Sequence, residues 1–67
     1  MTLVGYTVEA TDGAVGAIDR ATYDGPQVVI TDGDGGRLRL DVDTVQRIDH
    51  RAHKVYLGVS RRELRRR

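Results

Sequence analysis

The sequence contains no cysteine, no phenylalanine and no tryptophan, and it has a single proline. Without cysteine there is neither a disulfide framework nor a thiolate metal site, and nothing indicates an oxidising compartment. Three tyrosines are the only aromatic residues, so the core must be built from aliphatic side chains that bury less area. A chain of 67 residues is one domain close to the lower limit for folding alone, so a partner or a second copy would add stability.

Long apolar runs are also absent, since none exceeds three residues, as in Val28-Val29-Ile30. Such a run is far too short to cross a bilayer, and residues 1–6 have no basic segment followed by an apolar one. We therefore expect a cytoplasmic protein without a membrane span.

Charge is balanced in total but not along the chain. The formal net charge is +1, yet residues 1–60 hold nine acidic and six basic side chains. Residues 61–67 hold five arginines and one glutamate. The sequence therefore predicts a mildly acidic body followed by a basic tail.

Turn signals cut the apolar segments into hairpin-sized pieces. Asp-Gly favours a tight hairpin turn, because both residues tolerate the positive φ that such a turn requires. The pairs are Asp12-Gly13, Asp24-Gly25, Asp32-Gly33 and Asp34-Gly35. This spacing indicates a small all-β domain.

Alternation of apolar and polar residues marks the strands. The predicted strands are Tyr6 to Ala10, Ala14 to Thr22, Gln27 to Thr31, Leu38 to Val42, a short segment ending near Asp49, and Val55 to Val59. Val15 and Ile18 are three positions apart, so a bulge near Gly16 is needed to turn both toward one face.

Two short helical segments are also predicted. Val45 and Ile48 are again three positions apart, which indicates a 3₁₀ turn or bend through Asp43-Thr44 before the fifth strand. Ser60 and Glu63 have the spacing of a capping box and predict a short helix through Leu64.

These elements predict one domain over residues 1–67: a small closed or partly open antiparallel β-barrel of five to six short strands with a short C-terminal helix. The core covers about residues 3–64, and the basic tail covers 61–67. A barrel is favoured because closure removes strand edges that would recruit other chains. Its interior would be filled by side chains and would hold no ligand cavity.

The whole pattern resembles the PRC-barrel domain family, which includes modules similar to the cytoplasmic part of the reaction-centre H subunit and the C-terminal domain of RimM. The resemblance rests on Gly5-Tyr6-Thr7-Val8, Asp12 to Asp19, Val28-Val29-Ile30, Leu40-Asp41-Val42, Val45 to Asp49, Lys54 to Leu57 and Ser60 to Leu64. It implies a binding and assembly module, often an adaptor, with no shared catalytic residues.

Metal and catalytic signatures are weak. The Asp32 to Gly36 segment resembles the first half of a calcium loop, but no bidentate glutamate follows in register, so a plain hairpin loop is favoured. His50 and His53 lie between two strand patterns, where a solvated turn is favoured over a metal site. Ser60 is better explained as a helix cap than as a nucleophile. We therefore predict no enzyme activity, metal, cofactor or small-molecule substrate.

The C-terminal arginines are the candidate anion-binding residues: Arg61, Arg62, Arg65, Arg66 and Arg67. They could neutralise phosphates of nucleic acid or of an anionic lipid surface, with binding that weakens as salt rises. The alternative is a solubilising tail. With few exposed aromatic residues for base stacking, nucleic-acid binding would be mostly nonspecific.

A candidate protein interface lies on the predicted outer face of the strands. Its residues are Val29, Arg37, Arg39, Arg47 and Tyr56, because Val29 and Tyr56 are out of phase with the core and tyrosine and arginine are common at interfaces. The alternative is that Val29 and Tyr56 cover the C-terminal helix. The favoured function is a noncatalytic interaction module that binds a protein partner or forms a homodimer; nucleic-acid or anionic-surface binding is the alternative.

Overall fold

Six short strands form one sheet in the computed structural model, which describes residues 2–65 and gives Arg65 by its backbone alone. The strands are β1 (Thr7–Ala10), β2 (Gly13–Ile18), β3 (Val28–Asp32), β4 (Arg37–Leu40), β5 (Val45–Asp49) and β6 (Lys54–Leu57). Two 3₁₀ helices, η1 (Arg20–Asp24) and η2 (Val42–Thr44), and one α-helix, α1 (Arg61–Arg65), complete the described chain. The predicted fold class is confirmed as a half-barrel with a short C-terminal helix.

The sheet order is β4-β3-β2-β1-β6-β5, with four antiparallel pairings and one parallel pairing. The parallel pair is β1 with β6, where Val8 lies opposite Val55. The prediction that every pairing is antiparallel is therefore wrong for this one pair of strands. Parallel neighbours need a long crossover connection, and here the chain from β2 through β5 supplies it.

The core lies on the inner face of the half-barrel. Val8 and Ile30 are 0% exposed, and Leu64 of α1 is 2% exposed and packs in the same cluster. The other buried members are Tyr6, Ala10, Ile18, Val28, Leu40, Val55 and Leu57. Aliphatic side chains thus fill the interior, as the composition predicts.

The predicted bulge in β2 is present. Val8 pairs with Gly16 and Glu9 with Ala14, so Val15 is the extra residue. Gly16 is needed here because of close packing: a Cβ at this position would lie 2.0 Å from the carbonyl oxygen of Thr31. The glycine therefore lets β2 approach the backbone of β3.

The second strand ends at Ile18, so its predicted extension to Thr22 is wrong. Asp19 ends it, because its Oδ1 accepts a hydrogen bond from the Ala21 amide at 2.9 Å and caps η1. The Thr22 hydroxyl then bonds the backbone of Val29, donating to its carbonyl and accepting from its amide at 2.9 Å each. These contacts hold η1 against β3.

The fourth strand ends at Leu40, and Val42 lies in η2 with 62% of its surface exposed, so its assignment to the strand is wrong. The chain turns here because the Thr44 amide donates to the Asp41 carbonyl at 2.9 Å. The predicted 3₁₀ turn is confirmed, and β5 ends at Asp49 as expected.

The predicted capping box is present at the start of α1. The Glu63 amide donates to the Ser60 hydroxyl at 3.2 Å, and the Ser60 amide donates to Glu63 Oε1 at 3.3 Å. Residues 61–65 of the predicted basic tail form this helix, which was expected through Leu64, and Leu64 belongs to the core. Arg66 and Arg67 lie outside the described residues.

Gly16→Val is expected to lower the free energy of unfolding by about 3 kcal/mol or more, since no side chain fits beside Thr31. Urea unfolding followed by circular dichroism measures the change. Gly33→Ala is the matched control, because open space surrounds Gly33. The control should change stability by less than about 1 kcal/mol. Equal stability of Gly16→Val and the wild type would contradict the close β2–β3 packing.

Leu64→Ala is expected to cost about 2 to 5 kcal/mol, because it removes a buried side chain from the core. Arg62→Ala, on the exposed side of the same helix, should cost less than about 0.5 kcal/mol. Thermal unfolding of both variants checks the difference. A Leu64→Ala protein as stable as Arg62→Ala would show that α1 does not pack on the sheet.

Candidate functional site

The outer face of β1, β6 and β5 carries a cluster of polar side chains around one tyrosine. Val55 and Leu57 point into the core, so Tyr56 between them points outward. The strand register places Glu9 and Arg47 on either side of Tyr56. We call the surface formed by Glu9, Arg47, Lys54 and Tyr56 the Tyr56 surface.

Contacts within the Tyr56 surface hold its side chains in place. The guanidinium carbon of Arg47 lies 4.5 Å from the centre of the Tyr56 ring, a cation–π arrangement. Lys54 Nζ lies 3.0 Å from Glu9 Oε2, and this hydrogen bond, with the Glu9 charge, raises the pKa of Lys54. Arg47 is exposed and Tyr56 is half-buried, so the surface presents an ordered aromatic ring within a charged rim.

Val29 is not an exposed interface residue, which corrects the sequence expectation. Its side chain does face away from the core cluster, but it is only 2% exposed. The cover on this face of β3 is η1, whereas α1 packs through Leu64 in the core cluster, to which Val29 does not belong. The hydrogen bonds of Thr22 to the Val29 backbone keep this cover in place.

Arg37 and Arg39 lie on β4, which is at the opposite end of the sheet order from β5. Arg37 Nε is 3.6 Å from Asp19 Oδ2, and Arg39 is exposed opposite Val29 in register. Of the five predicted interface residues, Val29 is buried, and the other four divide into two groups. Arg47 and Tyr56 form one contact, whereas Arg37 and Arg39 border the other edge.

The described residues include only part of the arginine cluster. The Arg61 amide donates to Asp12 Oδ1 at 2.9 Å, and Arg61 Nε lies 3.5 Å from the same oxygen. The backbone hydrogen bond from Arg61 is the main cause that lowers the pKa of Asp12. Arg62 is exposed. The Arg65 side chain, Arg66 and Arg67 lie outside the described residues.

The Asp32 to Gly36 segment is a hairpin loop between β3 and β4. Asp32 Oδ1 accepts hydrogen bonds from the amides of Asp34 and Gly36 at 2.9 and 3.0 Å. The carboxylate therefore orders the turn. Within residues 2–65, no group of three or more histidine, aspartate, glutamate or cysteine side chains is arranged to hold a metal ion.

The two histidines lie in the turn between β5 and β6 and contact Tyr6. His50 Nδ1 is 3.1 Å from the Tyr6 hydroxyl oxygen, and the His53 ring centre is 5.1 Å from the Tyr6 ring centre. His53 has a φ of 56°, and its carbonyl accepts a hydrogen bond from the Thr7 amide. Both rings therefore cover the end of the core rather than only facing solvent.

Sequence reasoning missed Glu9, Lys54 and Asp12 as parts of these contacts. Glu9 and Lys54 are out of phase with the core in their own strands, which was a usable signal that each points outward. Their meeting depends on the parallel pairing of β1 with β6, which no local pattern indicates.

Comparison with known proteins gives no family assignment. No protein-family model matches the chain, and neither the curated proteins nor the solved structures contain a significant match. In the described residues, no helix is both long and apolar enough to cross a membrane.

Asp19 is expected to contribute to acid sensitivity. Hydrogen bonds from the Ala21 amide and then the Thr31 hydroxyl hold its pKa below the ordinary value of 3.8. The stability it supplies is therefore present above about pH 4 and is lost as pH falls through the lowered pKa. Urea unfolding of Asp19→Asn from neutral to acidic pH should show lower stability at neutral pH and a shallower loss in acid.

Asp24→Asn is the control for this experiment, because Asp24 is exposed and has no hydrogen bond or ion pair among the described contacts. It should follow the wild-type pH profile. A profile for Asp19→Asn that is parallel to the wild-type one would contradict the role of Asp19 as a charged cap.

Proposed function

We propose that this protein is a noncatalytic interaction module that binds a protein partner through the Tyr56 surface. The observation that supports it is the ordered contact of Arg47 with Tyr56 on the outer face of β5 and β6. Tyrosine and arginine are the side chains that most often dominate binding energy, and a side chain already held in place loses less entropy on binding.

The chemistry of the Tyr56 surface favours a particular kind of partner. The guanidinium carbon of Arg47 lies over the Tyr56 ring, and an arginine over an aromatic face retains N–H donors for another group. A carboxylate or carbonyl of the partner would accept these bonds while an apolar group covers Tyr56. Lys54 is already engaged by Glu9, which leaves Arg47 as the main cation of the surface.

The roles of the acidic residues support a noncatalytic module. Six of the ten carboxylates bind backbone amides, cap helices or form ion pairs within the fold: Glu9, Asp12, Asp19, Asp32, Asp49 and Glu63. Carboxylates that are engaged in these contacts stabilise the fold. The resemblance to the PRC-barrel family, whose domains act in binding and assembly, agrees with this interpretation.

Binding of nucleic acid or an anionic surface through the C-terminal arginines is the alternative function. The structure reduces the number of arginines available for it, because Arg61 is engaged by Asp12 at the start of α1. Removal of residues 61–67 would not test this alternative cleanly, since Leu64 would be lost from the core as well. Point substitution of exposed Arg62 avoids that difficulty.

Affinity capture with the immobilised full chain tests the proposed function. Retention of a specifically captured protein should fall at least about tenfold for Tyr56→Ser and for Arg47→Ser, since hot-spot residues contribute more than about 1.4 kcal/mol. Arg62→Ser is the matched control on α1 and should retain the partner, with or without nuclease. Circular dichroism verifies that each variant is folded.

Two results would contradict the proposal. One is equal capture by the wild type and Tyr56→Ser. The other is capture that disappears with nuclease and with Arg62→Ser, which would favour the anion-binding alternative.

A further inference from the structure

The free edge of β4 carries a self-complementary run of side chains. In the described chain β4 is at the end of the sheet and pairs only with β3. Its sequence and the residues that follow read Arg37-Leu38-Arg39-Leu40-Asp41-Val42-Asp43. Two arginines therefore precede two aspartates at alternate positions, with apolar residues between them.

The β4 edge is more regular than the other free edge. An open strand edge presents a row of unpaired N–H and C=O groups to another chain, and a bulge interrupts that row. On β5, Val45 pairs with Leu57 and Arg47 with Tyr56, so Gln46 is an extra residue that bulges the strand. The β3–β4 register has no such interruption, and Asp41 continues the extended backbone with φ −67° and ψ 145°.

The side chains at the end of β4 lack ion-pair partners in the described part of the chain. Arg37 lies beside Asp19, but neither Arg39 nor Asp41 forms an ion pair within residues 2–65. Val42 next to them is 62% exposed, the largest fraction among the exposed large apolar residues. The two charges without ion-pair partners in residues 2–65 therefore lie on extended backbone, whereas Val42 begins η2.

We propose that two copies of this chain pair antiparallel along β4, about a twofold axis at Leu40, and so join their two sheets. Arg39 of each copy then faces Asp41 of the other, on either side of the two Leu40 residues, and the extended backbone ends at Asp41 before η2 begins. This inference rests on the proposed function, because a second copy is one partner of an interaction module. A twofold contact of this kind uses the same surface on both copies.

Charge selects this register over its neighbours. Moving the axis from Leu40 to Arg39 places Arg39 opposite its own copy, and moving it to Leu38 places Arg37 opposite Arg39. Like charges directly opposite each other are destabilising in a sheet. A shift of the pairing by a single residue puts arginines opposite leucines. The axis at Leu40 pairs Arg39 of each copy with Asp41 of the other.

Charge reversal of the full chain tests the proposal by light scattering across a wide concentration series. The wild type should approach twice its mass of 7.4 kDa as concentration rises. Arg39→Asp and Asp41→Arg should each remain monomeric, because like charges then meet at the pairing. Their equimolar mixture should form a heterodimer, since one chain presents two carboxylates and the other two guanidinium groups.

The double variant Arg39→Asp with Asp41→Arg restores opposite charges within one chain and should dimerise again. Arg51→Asp, at an exposed arginine in the turn between β5 and β6, is the matched control and should dimerise like the wild type. Circular dichroism checks that each variant is folded. If one single variant does not fold, the other single variant and the double variant test the β4 pairing.

A wild type that stays monomeric throughout would overturn the proposal. So would single variants that dimerise as the wild type does, or a mixture that remains monomeric. A dimer lost with Tyr56→Ser but kept with Arg39→Asp would overturn the β4 pairing and leave the Tyr56 surface as the contact. Loss of partner capture with an intact β4 dimer would instead overturn only the proposed function.

Discussion

Strand β1 has a neighbour on each side, and its parallel pairing with β6 joins the β1–β4 meander to the β5–β6 hairpin. Backbone hydrogen bonds extend this junction at both ends, from the Thr7 amide to the His53 carbonyl and from the Thr11 amide to the Val59 carbonyl, each at 2.9 Å. Because these groups are paired, the two halves share one core, in which Val8 and Val55 are 0% and 1% exposed. Without the junction, neither half would retain enough buried surface to fold alone.

The same pairing creates the Tyr56 surface and leaves the sheet open. It brings Glu9 beside Lys54 and Tyr56, residues that are far apart in sequence. It also puts β4 and β5 at the two ends of the sheet order, so within residues 2–65 the half-barrel has two unpaired edges. The β1–β6 pairing therefore produces both surfaces through which we infer that this protein binds another protein, the Tyr56 surface and the β4 edge.

Local sequence patterns were sufficient wherever local contacts decide the structure. Alternation placed Val8, Leu40 and Val55 in the core, and the Val15–Ile18 spacing located the bulge. The capping box of Ser60 and Glu63 also formed as expected, because its hydrogen bonds are made within one turn. Each of these features depends on residues that are close together in the chain.

Features that depend on distant segments could not be read in this way. The phase of Val29 was correct, yet its burial depends on η1, whose cap at Asp19 was interpreted as part of a strand. The helix through Leu64 was expected from its capping box, yet the packing of Leu64 on the inner face of the sheet depends on strands that are distant in sequence. The contact between Arg47 and Tyr56 follows from a bulge in β5 that shifts the register by one residue.

Association of two copies along an open edge of the sheet is tested most directly by amide hydrogen exchange, followed by NMR at low and high protein concentration. The account predicts that amides of β1 are protected at every concentration, because strands flank β1 on both sides. The β4 amides that point away from β3 should gain protection only as concentration rises and a second copy covers the edge. Protection of these amides that is independent of concentration would contradict the account.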